Sequence, residues 1–268
     1  YTRSVQNAIP DRLDENLGRD FLGIPGTNGT RLFEGGWPRM LINGYDGIGI
    51  DEPYMPWIRS DPAYQAVANF NWIKGRHNLR FGVDVTHRAL NHQQPEIEGQ
   101  LGGGAGGFNF TPGVTELRGG PGNNRNNAFA AFLLGLPQQN GITRQVPDQF
   151  TIRSQFYSLY IRDRWDVNSR LTLSYGLRWE YLPYPVRADR GVEFYEPETN
   201  TVLICGVANV PRDCGVAVTK RSFGPRLGLA WRVTNDFVVR AGYGITNDPF
   251  DLGPRGVRTN YPVVIGVV

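Results

Sequence analysis

The side chains able to do chemistry are few. Cys205 and Cys214 are the only cysteines in 268 residues, with eight residues between them in ICGVANVPRDCG. A pair so close reads as a disulfide pinning a loop tip, a bond that needs an oxidising compartment. Two free buried thiols are the alternative. Closing so short a loop would stabilise it by roughly 2–3 kcal/mol on the chain-entropy account. The three histidines are scattered: His77 falls in a turn, while His87 and His92 flank Asn91. They read as solvated rim residues, with a ligand role for His87 and His92 as the other reading. So few thiols and imidazoles do not make a zinc or iron–sulfur site, and neither metal nor cofactor is expected.

GGGAGG at 102–107 is not a phosphate cradle, because it lacks the Gly-Lys-Ser/Thr ending and a βαβ setting. KGR at 74–76 is a turn and not a phosphate-binding lysine. No G-x-S-x-G elbow, H-E-x-x-H pair or Asp-rich calcium loop occurs, so no enzymatic activity is expected. The remaining charges sit at every second position of long alternating runs: Arg80, Asp84, Arg162, Arg178, Glu180, Arg226, Arg232 and Arg240. They read as lining a water-filled lumen, or as cross-strand ion pairs on a polar wall. Trp37, Tyr45, Tyr54, Trp57 and Phe108 lie in irregular segments. They would contact a glycan or peptide, or pack those segments together.

The elements that must hold these residues are strands. Tyr64, Ala66, Ala68, Phe70 and Trp72 alternate with polar residues, and after the turn at 74–77 so do Leu79, Phe81, Val83 and Val85. Period two puts successive side chains on opposite faces of a strand. The pattern returns in Tyr157, Leu159 and Ile161, ending at Trp165. It is cleanest in Leu171, Leu173, Tyr175, Leu177, Trp179 and Tyr181, and it recurs over 222–233 and 237–248. Three hairpins follow, with turns at 74–77, 166–170 and 234–236. Their strands run over 64–73 and 78–90, 150–165 and 171–183, and the final pair. Residues 1–63 read as an irregular region with one short strand at 40–42, and 64–268 as the barrel segment with long loops at 91–149 and 184–221. The AFAAFLLGLP run predicts a short, plug-like helix over 127–134, ended by Gly135 and Pro137. YPVVIGVV at 261–268 reads as strand.

Composition fits this reading. Gly (34) and Pro (19) are abundant, aromatic residues make up 12% and charged residues only 20%. That argues against a helical bundle and against a charge-rich disordered chain. A net charge of +3 gives no nucleic-acid signal. No uncharged apolar run is long enough for a transmembrane helix. A membrane strand needs only about ten alternating residues and leaves mean hydropathy modest, here −0.37. Short turns at one rim, long loops at the other, one uncharged face and tryptophans near strand ends together predict an all-β fold. It would be an antiparallel transmembrane β-barrel segment with periplasmic turns and extracellular loops. The face from Leu171 to Tyr181 is expected to meet lipid. Six clear strands are too few for a barrel, so the chain is expected to be part of a larger one or to hide more strands.

The blocks NFNWIKGRHNLRFGVDV (69–85), NNAFAAFLLGLP (126–137), SLYIRDRWDVNSRLTLSYGLRWEYLPYP (158–185) and FGPRLGLAWRVTNDFVVRAGYGI (223–245) carry a resemblance. Together with GRDFLGIPG (18–26), they resemble the Oar-like TonB-dependent outer-membrane receptors of acidobacteria and their relatives. The resemblance implies a 22-stranded barrel filled by an N-terminal plug, often led by a carboxypeptidase-regulatory-like sandwich and energised through a TonB box. These 268 residues resemble an interior portion of that barrel. The implied function is energised uptake of a specific solute or peptide/glycan ligand at the cell outer membrane. The implied partners are outer-membrane lipid, and TonB through an upstream region. Two rivals are a passive porin or surface adhesion barrel, and a secreted soluble β-rich carbohydrate-binding protein. An upstream plug would exclude the first, and the second requires the apolar faces to meet in a core.

Overall fold

In the computed structural model, residues 1–50, 52, 55–94, 102–117, 124–146, 149–247 and 264–267 are described. The strands are β1 (Thr2–Ala8), β2 (Arg39–Ile42), β3 (Trp57–Lys74), β4 (His77–Gln93), β5 (Gly107–Phe110), β6 (Gln139–Gln145), β7 (Phe150–Asp166), β8 (Leu171–Tyr181), β9 (Glu193–Glu196), β10 (Thr201–Ile204), β11 (Ser222–Arg232), β12 (Val238–Gly244) and β13 (Val264–Val267). One α-helix, α1, spans Arg125–Leu133. The long strands form a seven-stranded sheet in the order β1-β3-β4-β7-β8-β11-β12. Every neighbouring pair in it is antiparallel.

The expected all-β antiparallel transmembrane barrel is corrected here. β1 and β12 are the two edges of the sheet and do not pair with each other, so the sheet is open. β1 reaches only Ala63 of β3, which leaves β4 as the one partner from Tyr64 to Lys74 among the described residues. β2 and β5 pair in parallel, and α1 is helical. The physical reason is that period-two alternation specifies strands and their faces. It does not specify closure, which needs strand number and stagger to match around a ring. Antiparallel hairpins are local and legible, whereas the β2–β5 pairing spans the whole of β3 and β4 and leaves no local pattern.

Register divides the sheet into two faces. Phe70, Phe81, Ile161, Leu177 and Pro225 form one row across five strands. Asn71, Arg80, Arg162, Gly176 and Arg226 form the next row, one residue along and on the opposite face. Among the described residues no second layer covers the apolar face: Phe70 is 57% exposed, Leu159 51% and Leu227 58%. The β3–β4, β7–β8 and β11–β12 turns share one end of the sheet, and the long connections share the other.

Those connections fold into a cap. A four-stranded sheet in the order β13-β6-β5-β2 carries α1. Asn124 caps α1 by accepting from the backbone N–H of Asn126 at 2.9 Å. Small Ala128 and Ala131 are fully buried against Ile42 and Phe110, and Gly135 at φ +66° ends the helix in the left-handed region. The helix thus packs on this small sheet. The GGGAGG segment is built into the same cap. Asn28 N–H donates to the Ala105 carbonyl at 3.1 Å, Thr143 Oγ1 to that of Gly102 at 3.0 Å and Arg144 to that of Gly104 at 3.0 Å. A Cβ on Gly102 would lie 2.2 Å from the Gly107 nitrogen, so no larger residue fits there.

Candidate functional site

The polar face of the long sheet gathers all eight charged residues singled out from the sequence: Arg80, Asp84, Arg162, Arg178, Glu180, Arg226, Arg232 and Arg240. Arg164 and Asp166 share it, which makes seven arginines against three carboxylates between Asp84 and the short turns. The carboxylates are taken. Asp84 accepts from Gln65 and Thr86, Glu180 from Arg178 at 2.7 Å, and Asp166 from Thr172 at 2.7 Å and Arg164 at 3.4 Å. Arg80 and Arg162 stand directly opposite each other, and Arg226 follows across Gly176. A cavity of about 310 Å³ is lined by these three with Arg178 and Tyr160. Gly176 lines it, and Gly82 lies beside its Tyr160 wall. A Cβ on Gly176 would lie 3.1 Å from the Arg162 Cβ, and one on Gly82 would lie 2.7 Å from the Tyr160 ring. With Gly82 in place, the Tyr160 hydroxyl donates to Asn69 Oδ1 at 2.6 Å.

On the opposite face, Leu171, Leu173, Tyr175, Leu177, Trp179 and Tyr181 sit together, as their alternation requires. Near the long connections, Tyr1, Tyr64, His87, Tyr157, Tyr181 and Trp179 form an aromatic belt. The Trp179 indole N–H donates to the Lys220 carbonyl at 2.8 Å. Near the short turns lie Trp72, Trp165 and Trp231, with His77 stacked on Trp165 at 5.4 Å. His77 is therefore a tied residue. Its Nδ1 lies 2.7 Å from Asp163 Oδ2, which also accepts from the Tyr175 hydroxyl at 2.7 Å. Sequence reasoning missed this cluster. The signal was present, since Asp163 is the one acid in the run Tyr157, Leu159, Ile161, Asp163, Trp165. His92 is also no solvated rim residue: it is buried and accepts from the Trp57 indole at 2.5 Å.

Above the sheet, Cys205 and Cys214 form a disulfide with Cα atoms 5.1 Å apart. Cys205 is buried, and its backbone pairs with Gly191 and Val192. Arg187 ties this loop to β7. It is buried over the Phe150 ring at 3.8 Å, donates to the Thr151 carbonyl at 3.0 Å and pairs with buried Glu193 at 2.9 Å. Burial pushes the Arg187 guanidinium down from its ordinary value, and Glu193 opposes that shift. The candidate glycan-contacting residues do not converge. Trp37 meets Phe21, Tyr45 meets Phe129, Phe108 packs near Phe110 and Trp57 holds His92, while Tyr54 lies outside the described residues.

Among the described residues, no group of three His, Cys, Asp or Glu side chains is placed to hold a metal ion. Among the described residues no helix is long and apolar enough to cross a membrane, which says nothing of strands. The long sheet thus has one apolar face, one cationic face and two aromatic belts. The family model for the outer membrane beta barrel domain matches residues 1–267, and the chain belongs to that family. Such families are generally non-catalytic, and membership supports an outer-membrane location in general terms. Comparison with curated proteins and with solved structures gave no match.

Proposed function

We propose that the chain forms part of a TonB-dependent outer-membrane transporter or receptor that takes up a specific solute by energised gating. The observation that carries this reading is the uncovered apolar face. A contiguous patch of that size in water would drive association. In hydrocarbon it needs no cover. Leu171, Leu173, Tyr175, Leu177, Trp179 and Tyr181 then meet lipid. Arg80, Asp84, Arg162, Arg178, Glu180, Arg226, Arg232 and Arg240 meet water, whereas each on the lipid side would cost about 2–4 kcal/mol at the midplane. The belts at Tyr157 and Trp165 are eight residues apart, roughly 26 Å along a strand and roughly 20 Å once tilted, close to the height of a membrane band. The short turns face the periplasm and the cap faces outward, where it captures solute. Coupling to TonB runs through a plug and box upstream. Unpaired backbone cannot face hydrocarbon, so protein partners cover the edges at β12, β1 and Tyr64–Lys74.

The test compares solute uptake by cells with and without the gene, before and after a protonophore collapses the proton-motive force. Energised transport predicts accumulation of one solute class that needs both the gene and the gradient. Gene-dependent uptake that survives the protonophore would favour a passive porin. Loss of surface attachment with unchanged uptake would favour adhesion.

A further inference from the structure

Arg80 and Arg162 face each other across β4 and β7 with no carboxylate within ion-pair distance among the described residues, and Arg226 stands two strands further on in the same row. Like charges directly opposite destabilise a sheet. Of the other arginines on this face, Arg178 has Glu180 and Arg164 has Asp166, while Arg232 and Arg240 have no acid within ion-pair distance among the described residues but do not line the cavity. The unopposed row lies midway between the aromatic belts, since Arg162 falls between Tyr157 and Trp165. Gly176 keeps the floor between Arg162 and Arg226 clear, because a Cβ there would lie 2.8 Å from the Ile161 carbonyl oxygen and 3.1 Å from the Arg162 Cβ. The result is a cavity of about 310 Å³ walled by guanidiniums.

From this arrangement we infer that the row Arg80–Arg162–Gly176–Arg226 binds a multivalent oxyanion, a small solute bearing two or more carboxylate or phosphate groups. The inference deepens the transporter reading and rests on it, because it names the substrate class that the polar face accepts. Guanidinium groups present forked donors that match carboxylate and phosphate oxygens two at a time. Arg80 and Arg226 are three strand spacings apart, about 14 Å. One anionic group is too short to reach both ends of the row, and a polyanion bridges it. The cavity lies at the lower end of ordinary small-molecule pockets, which run from about 300 Å³.

The experiment uses the protein extracted from its native outer membrane in a non-ionic detergent, with equilibrium dialysis of labelled citrate, labelled inorganic phosphate and a neutral sugar. Saturable binding is expected for citrate, weaker binding for phosphate and none for the sugar. R162Q should weaken citrate by roughly 10-fold or more, the loss of a charge-assisted hydrogen-bond pair. R162K keeps the charge without the fork and should fall between. G176A should weaken binding by filling the floor, and R12Q, in an exposed pair with Glu15 outside the long sheet, should leave it unchanged. A wild type that binds neither anion, or citrate binding that ignores R162Q and G176A alike, overturns the inference. The parallel uptake assay separates the two ideas. Energised uptake of some solute without anion binding sinks the oxyanion site alone. Anion binding without energy-dependent uptake sinks the transport reading and leaves the site standing.

Discussion

In the cap, the side chains out of reach of solvent include Ile42, Phe110, Ala128 and Ala131, gathered between α1 and the small sheet. In the long sheet, over Tyr64–Thr86, Phe156–Tyr181 and Ser222–Gly244, the buried side chains are Thr86, Ser158 and Asp163, and the large apolar ones are exposed, as Phe70, Leu159 and Leu227 are, or half-buried, as Leu171 and Trp179 are. The cap follows the rule for a protein in water, with apolar groups inside. The long sheet inverts it. One chain thus carries two burial patterns, which meet at the belt of Tyr64, Tyr157 and Tyr181. Stability in the cap comes from burial and from buried ion pairs, whereas the sheet must draw it from ladder hydrogen bonds and from the solvent facing its apolar side.

The largest effect that separates the two patterns should come from the buried pair in the cap. Glu193 is the buried partner of Arg187, and Arg190 leans on it too. Removing one partner of a buried pair strands the other, at about 3–5 kcal/mol. Glu193→Gln should therefore open the 184–221 connection, with amide exchange rising there and at Phe150–Ile152. Exchange in β8 and β11 should stay as in the wild type. Spread of the change through the long sheet would show that the two regions are not separately stabilised.

The converse test acts on the sheet. Leu177→Arg puts a charge on the apolar face near mid-height, and Thr172→Arg puts the same charge on the polar face of the same strand, opposite Asp166. In denaturant titrations in lipid vesicles, the first should cost about 2–4 kcal/mol and the second close to none. Equal costs would remove the distinction between the faces. In the cap, replacing Cys205 and Cys214 with serine should cost roughly 2–3 kcal/mol of loop stability. It should be visible as faster proteolysis within 205–214, with vesicle unfolding of the sheet unchanged.

How much of this was legible depended on the solvent each segment meets. β8 could be read directly, because from Leu171 to Tyr181 apolar and polar residues alternate without a break. β3 begins at Trp57, seven residues before its alternation, because WIRSDPA rises beyond the apolar band and loses the period-two signal. β1, almost fully exposed, is invisible for the same reason. α1 was placed within two residues by its AFAAFLL run and its Gly135 and Pro137 stop. The sheet on which it packs was not, since β2, β5 and β6 meet across long sequence separations that no local pattern encodes. The eight charged residues share one face of the sheet because face is a parity, and parity survives without knowledge of closure. What parity could not supply was which arginines lack partners, since that depends on register between strands.

Asp163 sharpens the comparison with the smallest expected effect, because it breaks the inverted rule of the sheet from within. It lies on the apolar face yet is only 6% exposed, covered by His77 and Tyr175, which both bond its Oδ2. The three residues come from β4, β7 and β8, so the carboxylate ties three strands just inside the short-turn rim. Its Oδ1 is buried without a hydrogen-bond partner among the described residues. Asp163→Ala would leave the Tyr175 hydroxyl and the His77 ring unpaired on an apolar surface, at about 1–3 kcal/mol. Asp163→Asn keeps an acceptor for both and removes the charge, so it should cost less than the alanine change. Vesicle titrations of the two variants decide the role. The order alanine below asparagine below wild type marks a hydrogen-bonded tie that tolerates neutralisation. An asparagine variant as weak as alanine would mean that the charge itself holds the strands together, and that the apolar face tolerates an ion where its aromatic belt meets water.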